Sequence, residues 1–311
     1  WMAKVAFRRL AMPQVGYLRF MRLQANVRGH WASLGLLFLA MIQGGDAWGQ
    51  VREGEWTLAT FNVRYDNPTD PLKWGDRVDE VAQVMGFYDI VGIQEALPNQ
   101  VEDLRQRLPW MDVVSRGRDA DGGGEACAIF YHKDKWQLLH HDTFWLSDDW
   151  TTPGAHGWTA DLPRVVTVVK LQQVATGKLV TAFNTHWSHV SQEAREGSGR
   201  LIALMDALST SDASVVLGDF NETSEGQGRQ ILADAGFDDV YDTRRARCRK
   251  EFPTYTTFSP EGSSGGPRID AIYTKGLVTQ WTCVDEVIKK DLFISDHLPV
   301  HAVVSWASGR E

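Results

Sequence analysis

The sequence is short of cysteine, of net positive charge and of long apolar runs, and each shortage narrows what the chain can be. Three cysteines occur in 311 residues, Cys127, Cys248 and Cys283, and none has the CxxC or Cys/His spacing of a structural zinc site. Cys127 lies in the apolar run Ala126–Tyr131 and reads as a buried thiol, while Cys248 and Cys283 could pair in an oxidising compartment. With 32 basic against 40 acidic side chains the formal charge is −8, which leaves no broad basic face for gripping a nucleic-acid backbone. The best basic candidate, Arg244-Arg-Ala-Arg-Cys-Arg-Lys250, reads more simply as a solvated loop. No internal repeat or low-complexity tail is present.

The first fifty residues differ from the rest. Lys4, Arg8, Arg9, Arg19, Arg22 and Arg28 face a single acid, Asp46, and are followed by the apolar run Leu34–Ile42 and by Ala47-Trp48-Gly49. That order matches a secretory signal peptide cleaved near Gly49–Gln50, giving residues 1–49 as leader and 50–311 as one domain. Met21 offers a start that leaves a leader of conventional length. The apolar run falls short of the roughly 20 residues a membrane span needs, so the mature chain is expected to carry no stable span, although a retained anchor is the competing reading. The expected location is secreted or periplasmic. Loss of the leader removes a net +5 and takes the charge from −8 to −13.

From Glu55 onward, strand and helix patterns alternate without a long linker. Strands are expected at Trp56–Val63, Asp89–Gln94, Ala126–Tyr131, Thr143–Leu146, Ser214–Leu217, Ile269–Tyr273, Val284–Ile288 and Val300–Trp306. Val165–Val174 and Lys178–Asn184 read as a hairpin about Ala175-Thr176-Gly177. Helices are expected over Trp74–Tyr88, Pro98–Leu108, Ser191–Leu208 with Ser191 as N-cap, and Gly226–Ala235 stopped by Gly236. Phe258–Pro267, rich in Gly, Ser and Pro, reads as a loop. Many strands with few helices point to two packed sheets flanked by helices in one domain.

Polar residues cap the apolar strands. Ser214-Val-Val-Leu-Gly-Asp-Phe-Asn221 ends in Asp219 and Asn221, two apart, which on an extended chain point the same way and could hold a water beside a phosphoryl oxygen; a plain strand-end turn would look alike. Ile90-Val-Gly-Ile-Gln-Glu95 ends a buried strand in an acid, which is costly unless paired or bound to a cation, and oxygen ligands suit Mg²⁺ or Mn²⁺. In Ser295-Asp296-His297 the adjacent acid and imidazole serve different partners, and Asp270 is the candidate partner for His297. His186 ends another apolar strand, and His189 reads as surface.

These tips resemble the endonuclease/exonuclease/phosphatase superfamily, in a bacterial, secreted branch of it. The resemblance runs from about Glu55 to Trp306 through Phe61-Asn62-Val-Arg64, Ile93-Gln94-Glu95, Asn184-Thr-His186, Gly218-Asp219-Phe-Asn221, Arg268-Ile-Asp270 and Ser295-Asp296-His297-Leu-Pro-Val. It implies a four-layered α/β/β/α sandwich of two packed mixed sheets flanked by helices. It also implies a hydrolase of phosphoester bonds, phosphodiesters first among them, in which water attacks phosphorus. Glu95, with Asn62 and Asp296, would hold Mg²⁺ or Mn²⁺. Asp219 with Asn221 would position the water, and His297, paired with Asp270, and His186 would contact the phosphate. Arg164 would be a further phosphate contact, and Glu125 would orient His186. Arg64 stands where some members carry an acid, which weakens the case for a second metal ion.

Three rivals remain for the function. A secreted nuclease would place basic residues near the cleft. A lipid phosphoesterase would expose aromatics, for which Trp145, Trp150 and Trp158 are candidates against plain packing. A catalytically inactive binding module would keep the same fold. The expected partner is the phosphoester substrate, a small molecule, lipid headgroup or nucleic acid, with no obligate protein partner evident.

Overall fold

The structure is a computed structural model that describes residues 51–242, 246–247, 253–260 and 266–307. Residues 1–49, expected from the sequence to be a leader, Cys248, most of the Arg244–Lys250 run and the middle of the Phe258–Pro267 loop lie outside them. No helix among the described residues is long and apolar enough to cross a membrane.

Period-two alternation builds two sheets. The first takes β1 (Glu55–Asn62), β2 (Ile90–Ala96), β3 (Met111–Val114), β4 (Ala126–His132), β10 (Ala246–Arg247), β12 (Leu277–Val284) and β15 (Val300–Trp306), in the order β10-β12-β15-β1-β2-β4-β3. The second takes β5 (Trp136–Trp145), β6 (Val165–Gln173), β7 (Leu179–His186), β8 (Ala213–Asp219), β9 (Asp238–Asp239) and β11 (Asp270–Lys275), in the order β5-β6-β7-β8-β11-β9. Strands β13 (Ile288–Lys289) and β14 (Leu292–Phe293) form a separate hairpin. Each sheet is mixed: β1 runs parallel to β2 and β7 parallel to β8, whereas β15, β4, β6 and β11 pair antiparallel with their neighbours.

Three apolar layers separate four structural ones. Leu58, Ile90, Val180, Ala182, Val215, Leu217 and Ile272 fill the space between the sheets. Ala59, Phe61, Val91 and Ile93 face outward onto helices α1 (Trp74–Met85) and α2 (Pro98–Arg107). Phe183, Val216, Ala271 and Tyr273 face the side covered by α3 (Gln192–Ala207) and α4 (Gln227–Asp234). The order β1-α1-β2-α2 is thus matched by β7-α3-β8-α4, and the α/β/β/α sandwich expected from the sequence is the fold.

Most elements fall where the pattern puts them. Ser191 caps α3, its Oγ accepting from the Ala194 amide at 3.0 Å. The hairpin forms with Gly177 at φ +73°. One strand is corrected: Val284–Ile288 is not a strand, and its place is taken by Leu277–Val284, which turns out of β11 at Gly276 (φ +78°) and pairs antiparallel with β15. The β-branched and aromatic residues Val278, Thr279, Trp281 and Thr282 suit that ladder, and a register shift between Thr279 and Trp281 breaks the alternation that would have revealed it.

The inward faces change character along their length. On β1, Leu58 gives way to Thr60 and Asn62; on β2, Ile90 to Gly92 and Gln94; on β7, Ala182 to Asn184 and His186; on β8, Leu217 to Asp219. Between core and rim lies a buried amide layer. Gln94 Nε2 donates to Thr60 Oγ1 at 2.9 Å and to Asn184 Oδ1 across the sheets at 2.6 Å. Asn184 Nδ2 donates to the carbonyls of Ile93 and Ala128 at 2.9 and 2.8 Å. The sheets approach so closely that a Cβ on Gly92 would lie 2.7 Å from the Asn184 side chain and 2.9 Å from Leu217 Cβ.

Candidate active site

Above the amide layer, the strand tips converge on Asp219. Its Oδ2 accepts from Asn62 Nδ2 at 3.0 Å and lies 3.4 Å from His186 Nε2 and 3.7 Å from His297 Nε2. Its Oδ1 accepts from the Asn221 amide at 3.0 Å. The other Asn62 bond goes to Glu95 Oε1 at 2.9 Å, so one amide ties the acids of both sheets together. His297 Nδ1 meets Asp270 Oδ2 at 2.8 Å, as its expected pairing requires, and Asp270 sits opposite Asp219 in the β8–β11 ladder.

Burial sets the charges. Asp219 is pushed up to about 7, first by burial and then by the neighbouring Asp270. For His297 burial opposes the charge, but Asp270 and then Asp219 outweigh it and hold its pKa well above the ordinary histidine value. His186 moves the other way, driven well below by burial and then by Arg164. The two imidazoles beside Asp219 are therefore pushed in opposite directions, His297 toward its cationic form and His186 toward its neutral form.

The acidic end lies on the first sheet. Glu95 has φ +62° at an irregularity between β2 and β4, and its Oε2 accepts from the Tyr65 amide at 3.2 Å. Asp296 Oδ1 accepts from Ser295 Oγ at 3.3 Å, and burial raises its pKa. Ser295 Oγ also donates to the Asn62 carbonyl at 2.8 Å, fastening the two segments. Arg64, at φ +58°, donates from its amide to Asn62 Oδ1 at 3.0 Å. Left-handed backbone at Arg64, Glu95 and Asn221 (φ +48°) gathers at this one site.

Two groupings could hold a cation. Asp219, Asp270 and His297 each offer a ligand atom, and these lie within 4.8 Å of one another; Asp270 Oδ1 is buried without a hydrogen-bond partner among the described residues. His297 already pairs through Nδ1 with Asp270, however, and an imidazole pushed toward its protonated form is a poor ligand. Glu95 and Asp296 offer carboxylate oxygens, and Asn62 adds an amide oxygen that here accepts from the Arg64 amide, together the donor set that suits Mg²⁺ or Mn²⁺. The second grouping fits a hard divalent ion better.

Two sequence expectations about individual site residues need correction. Asn221 meets Asp219 through its backbone amide and not through a side chain pointing the same way, because β8 ends at Asp219 and the left-handed Asn221 turns its Nδ2 to the Trp187 carbonyl at 3.0 Å. Glu125 does not orient His186; both its oxygens accept from Arg118 at 2.8 Å. His189 is exposed, as expected of a surface residue, and its Nδ1 lies 3.1 Å from Arg164 Nη2. Arg164 itself is buried beside His186, and its Nε and Nη1 have no partner among the described residues. An unpaired buried guanidinium is costly, and burial lowers its pKa. Trp145 is buried and donates to the Arg118 carbonyl, while Trp150 packs on Phe144 at 5.0 Å, so these aromatics are packing, not a lipid-facing hairpin. Cys127 is a free buried thiol and Cys283 is disulfide-bonded.

Two further residues escaped sequence reasoning. Arg77 on α1, fully buried, donates to the carbonyls of Val63, Arg64 (2.8 Å) and Ile294 (3.2 Å), joining the segment after Asn62 to that before Asp296. Arg229 on α4, also fully buried, donates to the carbonyls of Glu222 (3.0 Å) and Arg268 (3.2 Å), joining the segment after Asn221 to that before Asp270. In sequence each looks like an ordinary polar position on an amphipathic helix.

The same fold occurs among known proteins. The family model described as Endonuclease/Exonuclease/phosphatase family matches residues 59–297. The chain is similar to a solved endonuclease/exonuclease/phosphatase from Bacteroides vulgatus, with 35% identity, a TM-score of 0.77, and coverage of 81% of this chain and 99% of that one. It is also similar to the mannosyl-6-phosphatase Bt3783 of Bacteroides thetaiotaomicron, at 28% identity and a TM-score of 0.74 over 81% of this chain and all (100%) of that one. The TDP2 of D. rerio, solved with a single-strand DNA product, shares the fold at 15% identity and a TM-score of 0.60, covering 81% of this chain and 99% of that one. No curated protein matches the chain significantly. The family match over most of the chain and the likeness to the Bacteroides vulgatus protein leave one assignment: the chain belongs to the endonuclease/exonuclease/phosphatase family.

Proposed function

We propose that the chain is a divalent-metal-dependent phosphoester hydrolase in which water attacks phosphorus. The observation that carries this is the convergence on Asp219 Oδ2 of Asn62, His186 and His297 within 3.7 Å, with Asn62 bridging to Glu95. Glu95, Asp296 and the Asn62 amide oxygen would hold Mg²⁺, with Mn²⁺ the other candidate. A divalent ion there supplies Lewis-acid stabilisation of negative charge on the phosphoryl oxygens.

The chain's own groups do the rest. Asp219, with a pKa of about 7, is poised to accept the proton of the attacking water near neutral pH. As the new P–O bond forms, the bond to the leaving oxygen breaks. His297 carries its positive charge toward a phosphoryl oxygen, held in orientation by Asp270. Neutral His186 donates a hydrogen bond without repelling the cation beside it. The unpaired Arg164 nitrogens are placed to meet an anion that enters beside His186.

Likeness to a mannosyl-6-phosphatase and the negative overall charge favour a compact phosphoester over a long nucleic acid. The test is hydrolysis of p-nitrophenyl phosphate, bis-p-nitrophenyl phosphate, sugar 6-phosphates, sphingomyelin and plasmid DNA, with Mg²⁺ and with EDTA. Asp219→Asn and His297→Ala are each expected to lower turnover about 10²-fold or more while circular dichroism is unchanged. Near-wild-type turnover in either variant overturns the assignment, and no metal-dependent turnover on any phosphoester leaves a binding module. We also propose that residues 1–49 are an export leader, which N-terminal sequencing of the protein recovered outside the cytoplasm would test.

A further inference from the structure

Arg64 is the one cation that reaches the Glu95–Asp296 pair directly among the described residues. Its guanidinium is anchored by Asp70, with Nε donating to Oδ2 and Nη2 to Oδ1, each at 3.2 Å. That two-point hold aims the remaining nitrogen, Nη1, at the acids: 3.4 Å from Asp296 Oδ2 and 3.9 Å from Glu95 Oε2. The backbone is fixed as well, with the Arg64 amide on Asn62, its carbonyl on Arg77 and its φ at +58°. A guanidinium stays protonated at any pH the protein meets. A tethered, permanently charged group therefore occupies the flank of the acidic pair where another cation would sit.

We propose that Arg64 is a built-in second cation: it restricts the Glu95–Asp296 pair to one divalent ion and weakens the hold on that ion. The proposal rests on the reading that these acids bind a divalent metal. Like charges at this separation disfavour each other strongly in a partly buried site, so a second ion has no uncompensated carboxylate left to neutralise it. The bidentate anchor matters because a free arginine could swing away when an ion arrived, whereas this one must remain.

Equilibrium dialysis and calorimetric titration of the full chain with Mn²⁺ test this without reference to turnover. Wild type is expected to bind one ion. Arg64→Gln is expected to bind one ion about 10-fold more tightly or better, and Arg64→Glu to bind two. Arg64→Lys, which keeps the charge but not the fork, is expected to stay within about threefold of wild type. This split by charge is one that a purely structural role would not produce, since loss of the Asp70 fork would then weaken all three variants alike. Two ions in wild type, or unchanged or weaker binding in Arg64→Gln, overturns the proposal. Glu95→Gln separates the two readings: if it abolishes binding while Arg64→Gln changes nothing, only the role of Arg64 fails. If wild type binds no ion, or Glu95→Gln binds as wild type does, the metal reading fails and this proposal with it. Thermal midpoints in EDTA identify any variant that does not fold, and in that case Arg64→Met, uncharged like Gln and with an apolar stem, takes the place of Arg64→Gln with the same expectation and the same overturning result.

Discussion

Arg77 and Arg229 are both fully buried on helices and both clamp two segments of the candidate site, yet they are neutralised differently. Arg229 meets Asp239 Oδ2 at 2.6 Å and Tyr273 Oη at 2.8 Å, and these partners raise its pKa against the effect of burial. Arg77 meets only carbonyls and the rings of Trp74 and Phe258, its Nε has no partner among the described residues, and burial pulls its pKa down to about 10. The half of the site with Asp219 and Asp270 is thus braced by an arginine whose charge meets a carboxylate, one it shares with Arg268. The half with Glu95 and Asp296 is braced by a charge that is left over, and its field falls on Asp70, Asp296 and Asp66. An arginine clamp can therefore serve as scaffold alone or as scaffold and electrostatic support.

Removing Arg229 should be the harsher blow to the fold. Arg229→Met would leave Asp239 with Arg268 and the Tyr241 amide, each at 2.9 Å, and is expected to cost about 3–5 kcal/mol in urea unfolding; a cost below about 1 kcal/mol would mean that the pair adds little. Arg77→Met strands carbonyls but no carboxylate, so about 1–3 kcal/mol is expected. Its turnover on a phosphoester should nonetheless fall more than that of Arg229→Met at a temperature where both are folded, and the reverse order would break the comparison. Gly92→Ala acts on both halves at once: the added methyl meets Asn184 at 2.7 Å, and forcing the sheets apart is expected to cost about 1–3 kcal/mol. The smallest effect belongs to the periphery, where Ser191→Ala removes the α3 cap and should cost about 1 kcal/mol without changing turnover.

The layered fold and the cluster of tips are readable from the sequence because they rest on short-range rules. Apolar alternation fixes which face of β1, β7 or β8 is inward, and a polar residue at the end of that face, Asn62, His186 or Asp219, must then lie on the rim. What the sequence hides depends on long-range partners. Asn221 fails the alternation argument because its backbone turns left-handed one residue beyond Phe220. Glu125 goes to Arg118 because that guanidinium lies across a turn, and no spacing rule announces it. Arg77 and Arg229 look solvated because helical periodicity says nothing about carbonyls brought in by loops. Residues 111–114 and 277–284 are strands by partnership with β4 and β15 more than by pattern.

The bonded amides of Gln94 and Asn184 have a consequence for how the site selects what enters it. Each comes from a different sheet, and their 2.6 Å bond sets a fixed distance between the two rims just beneath the reacting groups. Neither rim can hinge inward on a small ligand or outward for a bulky one without breaking that bond inside an apolar surround. The aperture is then a fixed gauge set by the backbone, so any adjustment to different substrates falls to the connecting segments around the rim.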